Sequence, residues 1–170
     1  MVRRSVGQRH LHPFVTKTVK HGGFSVTVWS AIKGNGTKVL HRCPPIINSD
    51  IYAQIIEDSL LPLLDTNTIF MQDGAPCIRS KATISFLDSH NICLLSDWSA
   101  QSPDLNIIEH VWVKLKKNII GTYPKNKDEL WEILQEEWQK IDSSYIVKLY
   151  ESTPRRLEAV IKRKGLHTKY

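Results

Sequence analysis

Two carboxylates stand where their types and positions could do chemistry. Asp73 follows the short apolar run Thr68-Ile69-Phe70-Met71-Gln72 and precedes Gly74-Ala75-Pro76. A buried strand ending there would project its carboxylate at the C-terminal edge, where ligand sites of open α/β sheets gather. Glu109 falls four residues after Leu105 and three before Trp112, bordering the apolar stripe of a helix, so its carboxylate is expected to face the sheet. Two carboxylates brought together repel each other, and a divalent cation relieves the repulsion. Mg²⁺ is held in this way by one or two carboxylates with phosphate oxygens, and a pair of such ions clamps the attacking and leaving oxygens of phosphoryl transfer. Each residue also has a local alternative: a turn-capping Asp at the end of a strand, and a helical Glu paired with a nearby Lys.

The elements that must position them can be read from pattern. Residues 24–32 alternate Phe24, Val26 and Val28 on one side and are rich in β-branched side chains, which predicts a strand. Gly34-Asn35-Gly36 signals a hairpin, and residues 38–42 form the antiparallel return strand. Asn48-Ser49-Asp50 offers cap chemistry to a helix over 50–61, with Tyr52, Ile55, Ile56 and Leu60 as its stripe. A strand over 68–72, a helix over 80–89 and a strand over 92–95 follow. Ser102, Pro103 and Asp104 predict the next helix start, with Leu105, Ile108, Trp112, Leu115 and Ile119 on one face and Gly121 as its end. Two more helices are expected over 127–141 and 144–163. The order β-β-α-β-α-β-α-α-α reads as α/β with a helical C-terminal tail.

Composition narrows the class. The chain has 170 residues, is 41% hydrophobic and 24% charged, and carries a net charge of +6. That is one ordinary globular domain by length, with no apolar run near the ~20 residues of a membrane span and no apolar leader at its start. Cys43, Cys77 and Cys93 are too few for a disulfide framework, which fits a reducing compartment. The charge is partitioned. Residues 1–49 carry eight Lys or Arg and no Asp or Glu. Residues 50–109 carry nine acids and two bases, and residues 110–170 carry thirteen bases and eight acids. A basic balance suits a polyanionic partner.

The longer words around the two carboxylates resemble the catalytic domain of Tc1/mariner-family transposases of the DDE type. Gln72-Asp73-Gly74-Ala75-Pro76 is similar to the family's Q-D followed by G-A-P. The run from Asp97 to Trp112, which includes Ser102-Pro103-Asp104-Leu105-Asn106 and Ile108-Glu109, is similar to its D-W-P-x-Q-S-P-D-L-N-P-I-E-x-x-W block. Thirty-five residues lie between Asp73 and Glu109, in keeping with the family's spacing. Thr18-Val19-Lys20-His21-Gly22-Gly23 and Ser152-Thr153-Pro154-Arg155-Arg156-Leu157 resemble further family segments, so the likeness covers nearly the whole chain.

The resemblance implies an RNase H-like, retroviral-integrase-like mixed sheet flanked by helices. It implies a triad of two Asp and one Glu holding Mg²⁺ or Mn²⁺, with Asp73 as its second member and Glu109 as its third. It implies cleavage at transposon ends and strand transfer into target DNA, hence double-stranded DNA as partner and the nucleus as location. The family's first Asp lies on a strand before the segment that Val2-Arg3-Arg4 resembles. The expectation is therefore a single domain over 1–170 without its first strand, without helix-turn-helix domains and with little activity of its own. A sheet lacking that strand exposes a flank open to self-association. Ile78, Ser99 and Ile107 depart from residues usual in the family.

A non-enzymatic alternative is a DNA-binding module that uses the basic flanks without sequence preference. Lys114, Lys116 and Lys117 follow Glu109 on its helix, and Arg155 and Arg156 lie further on. All five are candidates for phosphate contacts, or else simply a solvated face.

Overall fold

The computed structural model describes residues 24–72, 75–95, 105–164 and 168. Strand β1 spans Thr27–Ile32 and pairs antiparallel with β2, Lys38–Cys43, in a register that sets Ala31 opposite Val39 and Ser30 opposite Leu40. Both faces of this hairpin are covered. Trp29, Ala31 and Val39 pack with Tyr52, Ile56, Leu60, Leu87 and Ile92. Val28, Ile32 and Leu40 pack with Val111, Leu115, Trp138, Ile141 and Ile146. Side chains alternate along a strand, so odd and even positions feed two separate cores. That explains why Val28 to Ile32 is nearly all apolar, where a one-sided strand would alternate with polar residues.

The hairpin turn is as expected, and tertiary contact adds a second reason for its glycines. Gly36 has φ +91°, and a Cβ there would lie 2.8 Å from Ser143 Cβ and 2.9 Å from the Ser143 carbonyl oxygen. The tip of the hairpin thus seats against the start of a later helix.

Helix α1, Ser49–Ile55, starts at the cap Asn48, whose side chain accepts from the Ile51 N–H at 2.9 Å. It continues through a wider π-turn, Ile56–Leu60, and a tight 3₁₀ turn, Leu61–Leu63. Together these cover the helix expected over 50–61. Strand β3, Ile69–Phe70, pairs in parallel with β4, Cys93–Leu94, across α2, Lys81–Ser89. Among the described residues the β1–β2 pair and the β3–β4 pair share no strand. Both lie against the same core, since Phe70 and Leu94 pack beside Ala31 and Tyr52.

Helix α3 is Ile107–Asn118, with Asn106 at its cap position. The expected start at Ser102 lies outside the described residues, as do Trp98 and Ser99. Of its expected face, Leu115 is buried and Trp112 and Ile119 pack beside it. Val111, outside the expected stripe, is buried as well, with Ile107 packed against the same core, so the inward face is wider than expected and extends to 107 and 111.

Helix α4 is Lys127–Gln139, and Asn126 caps it by accepting from the Glu129 N–H at 2.8 Å. The helix expected over 144–163 is two helices: α5, Ser143–Glu151, and α6, Thr153–Lys162. Pro154 explains the break. It has no N–H to give to the preceding turn, and its ring is accepted only in the first turn of a new helix. No described helix is long and apolar enough to cross a membrane.

Candidate active site

Asp73 and Gly74 lie outside the described residues. Their two flanks are described, and both are tied to neighbouring elements. On the upstream side β3 leads to Gln72, whose Oε1 accepts from the hydroxyl of Tyr52 at 2.8 Å. Tyr52 is 2% exposed, so this bond connects the core face of α1 to the residue next to Asp73. On the downstream side the Ala75 carbonyl accepts from the N–H groups of Ile78 and Arg79. Thr83 Oγ1 donates to the Cys77 carbonyl at 2.7 Å, and Ser49 Oγ donates to Ser80 Oγ at 2.8 Å. Ile78, where the family often has a polar residue, is buried against Leu87 and Tyr52 and serves as core.

Glu109 sits in the first turn of α3, and its side chain is exposed. The expectation that it faces the sheet is therefore corrected. At 100° per residue, a position two before Val111 lies on the opposite side of the helix from the buried line. Its carboxylate forms no ion pair among the described residues, so the local alternative of a Glu–Lys pair is not what the structure holds. A carboxylate at a helix N-terminus is also favoured by the backbone dipole.

Carboxylate oxygens are the donor type that Mg²⁺ and Mn²⁺ take, so the chemistry of Glu109 suits such an ion. Among the described residues there is no cluster of three or more Asp, Glu, His or Cys able to hold a metal. Asp50, Glu57 and Asp58 are exposed along α1 and its extension, as a solvated face should be.

The five candidate phosphate-binding cations separate. Lys116, Lys117 and Arg155 are exposed. Lys114 is half-buried, with Nζ 4.1 Å from the centroid of the Tyr145 ring. Arg156 is 3% exposed, and its guanidinium is directed inward to Ser152 and His110, so its expected place on a solvated, phosphate-facing surface is not observed. Arg155 and Arg156 are neighbours of one type, and only the rotation of α6 sends one out and the other in. The pairing of Arg156 with His110 was the part of the site least visible in sequence; the adjacency of His110 to Glu109 was its one signal.

Trp112 and Trp138 pack with ring centroids 5.7 Å apart, Trp138 buried and Trp112 beside it, so both serve as core. Cys43 is buried, which pushes its thiol pKa up; Cys77 and Cys93 are likewise unpaired.

The described residues define an α/β class of domain, with a parallel β3–α2–β4 unit and an acidic residue in the first turn of α3. Solved structures share this fold. The Mos1 transposase catalytic domain with raltegravir and Mg, an RNase H-like domain, superposes with a TM-score of 0.75 at 17% identity, covering 85% of this chain and 77% of that one. The Mos1 paired-end complex with the left transposon end gives 0.79 at 18% identity, covering 98% of this chain and 51% of that one. The family model for DDE superfamily endonucleases matches residues 4–131.

The chain belongs to the DDE superfamily of endonucleases, in its Tc1/mariner transposase branch. It is 38% identical over 173 residues to the transposable element Tc1 transposase of Caenorhabditis elegans, and 36% identical to the Tcb2 transposase of Caenorhabditis briggsae. Each alignment covers 99% of this chain and 63% of the relative, so the chain spans under two thirds of the length of these curated relatives.

Proposed function

We propose that this chain is the DNA-cleaving and strand-joining part of a Tc1/mariner-type transposase, acting on double-stranded DNA in the nucleus. Asp73 and Glu109 are two of its metal-holding carboxylates. The observation that carries this reading is Glu109: an exposed carboxylate in the first turn of α3, without an ion-pair partner among the described residues, inside the family's longest sequence word. A bound Mg²⁺ or Mn²⁺ would supply charge neutralisation at the attacked phosphate and a nucleophile at neutral pH. The protein's own part is placement. The α3 start holds Glu109, the Tyr52–Gln72 bond steadies the strand end before Asp73, and exposed Lys116, Lys117 and Arg155 offer contacts to the phosphate backbone.

Residues 1–49 contain no Asp or Glu. These 170 residues therefore carry two of the family's three carboxylates, and on their own they bind DNA and a divalent ion but cut slowly. A nicking assay on supercoiled plasmid with Mn²⁺, beside Mn²⁺ binding followed by electron paramagnetic resonance, tests this. Weak or no nicking with Mn²⁺ binding that Glu109→Gln and Asp73→Asn each reduce is the expected result. Robust nicking abolished by Asp73→Ala overturns the low-activity part, and Mn²⁺ binding unchanged in both variants overturns the metal reading.

A further inference from the structure

Arg156 is the one buried charged residue among those described, at 3% exposure. Burying a charge is costly unless its donors are satisfied, so a buried guanidinium usually has a specific task. Its Nε donates to Ser152 Oγ at 2.7 Å, and that hydroxyl donates onward to the Leu149 carbonyl at 2.6 Å. The residue at the junction between α5 and α6, Ser152, thus holds the Nε end of the guanidinium at the start of α6. Its Nη1 lies 2.7 Å from His110 Nε2.

The direction of that last bond is set by chemistry. A guanidinium has only donors and keeps its proton, so His110 Nε2 must be the acceptor. In that geometry the ring hydrogen sits on Nδ1. The Tyr145 hydroxyl on α5 lies 3.5 Å from the His110 carbonyl oxygen, a long contact beside the short one from Arg156. His110 is the residue after Glu109, in the first turn of α3, so Arg156 on α6 makes the close contact to the turn that carries the carboxylate.

We propose that Arg156 is a positioning residue for Glu109. Through His110 it fixes the rotation of the first turn of α3, and with it the direction in which the Glu109 carboxylate points. The functional consequence rests on the reading of Glu109 as a metal ligand. Side chains that orient a ligand from outside the coordination sphere are commonly worth 10–100-fold in metal affinity.

The test uses the 170-residue chain at a temperature where circular dichroism shows every variant folded. Arg156→Met and His110→Phe should each weaken Mn²⁺ binding by about tenfold, whereas His110→Gln, whose Oε1 keeps an acceptor near the position of Nε2, should stay within about threefold of the parent. Parent-like Mn²⁺ affinity in folded Arg156→Met and His110→Phe overturns the proposal, as does loss in His110→Gln equal to that in His110→Phe.

Two readouts do not depend on the metal. ¹⁵N-histidine spectra of the unsubstituted chain should show His110 with its hydrogen on Nδ1, and hydrogen on Nε2 overturns the proposal even if Arg156→Met fails to fold. Amide exchange at Val111, Trp112 and Val113 should accelerate in Arg156→Met relative to the amides of α4, and uniform acceleration overturns it. If Glu109→Gln binds Mn²⁺ as the parent does, the metal reading fails by itself, and the spectra and amide exchange still decide whether Arg156 orders this turn.

Discussion

The hydroxyl of Tyr52 donates to Gln72 Oε1 at 2.8 Å, joining the most buried aromatic of α1 to the residue immediately before Asp73. Tyr52 is core by its ring and polar only at its tip, and such a tip needs a partner when buried. Gln72 is that partner, and the core of the domain is thereby coupled to the end of β3. Tyr52→Phe keeps the ring and leaves the Gln72 amide without this donor. The expected cost is about 1 kcal/mol by urea unfolding. Under the proposed metal reading, Mn²⁺ affinity falls as well, by more than in a surface variant of equal stability.

The hairpin tip is a second such coupling. Gly36 holds φ +91° and its missing Cβ leaves room for Ser143, so both backbone and space forbid a larger residue. Gly36→Ala should destabilise the domain by about 1–3 kcal/mol, since left-handed strain and a rigid backbone contact add. Gly121, with φ +93° and nothing within 4 Å of a Cβ, separates the two contributions: Gly121→Ala bears only the strain and should cost less in the same urea titration.

Asp65 predicts an acid limb. The Lys33 ammonium at 2.6 Å lowers its pKa from 3.8 to about 2, helped by the Thr68 hydroxyl and the Asn67 N–H. A carboxylate whose folded pKa is depressed stabilises the fold above its unfolded value, and that stability is lost as pH falls through the folded one. Lys33 also donates to the Leu63 carbonyl at 3.0 Å, so the contact fastens the end of β1 to the turn after α1. Melting temperatures of the parent and Asp65→Asn should differ at pH 6 and converge between about pH 4 and pH 2. The pair is exposed, so the gap should also shrink in high salt.

DNA binding should be electrostatic and shared among a few cations. Lys116→Ala, Lys117→Ala and Arg155→Ala should each lower the slope of log K against log salt by about 1 without changing sequence preference. Arg156 should behave differently, because its guanidinium is buried and hydrogen-bonded to His110. A fold-corrected titration of Arg156→Met should keep the parent's salt slope, and a slope reduced as in Lys116→Ala would place Arg156 among the phosphate-contacting cations.

Much of the architecture was legible because the signals are local. Asn48, Ser80 and Asn126 each cap a helix through a side chain that accepts from an N–H three residues on. Gly34-Asn35-Gly36 dictates a turn whichever protein contains it. The break at Pro154 was equally legible in principle, since an interior Pro cannot continue a helix. The family word ending in Ile108-Glu109 and Trp112 pointed to the acidic residue without any structure.

What sequence alone determined is thus the family and the order of elements, and it singled out Asp73 and Glu109 as candidates. Only the tertiary structure decided which way Glu109 faces. Trp112, Leu115 and Ile119 of the expected face pack inward, and spacings of three and four did not reveal that Ile107 and Val111 join them. Packing of this wider face against Trp138 and the even side of β1 leaves Glu109 on the outward side. The same holds for the two arginines of α6. Their sequence context is nearly identical, and the partners that separate them, Ser152 at the helix junction and His110 forty-six residues earlier, meet only when α5, α6 and α3 come together.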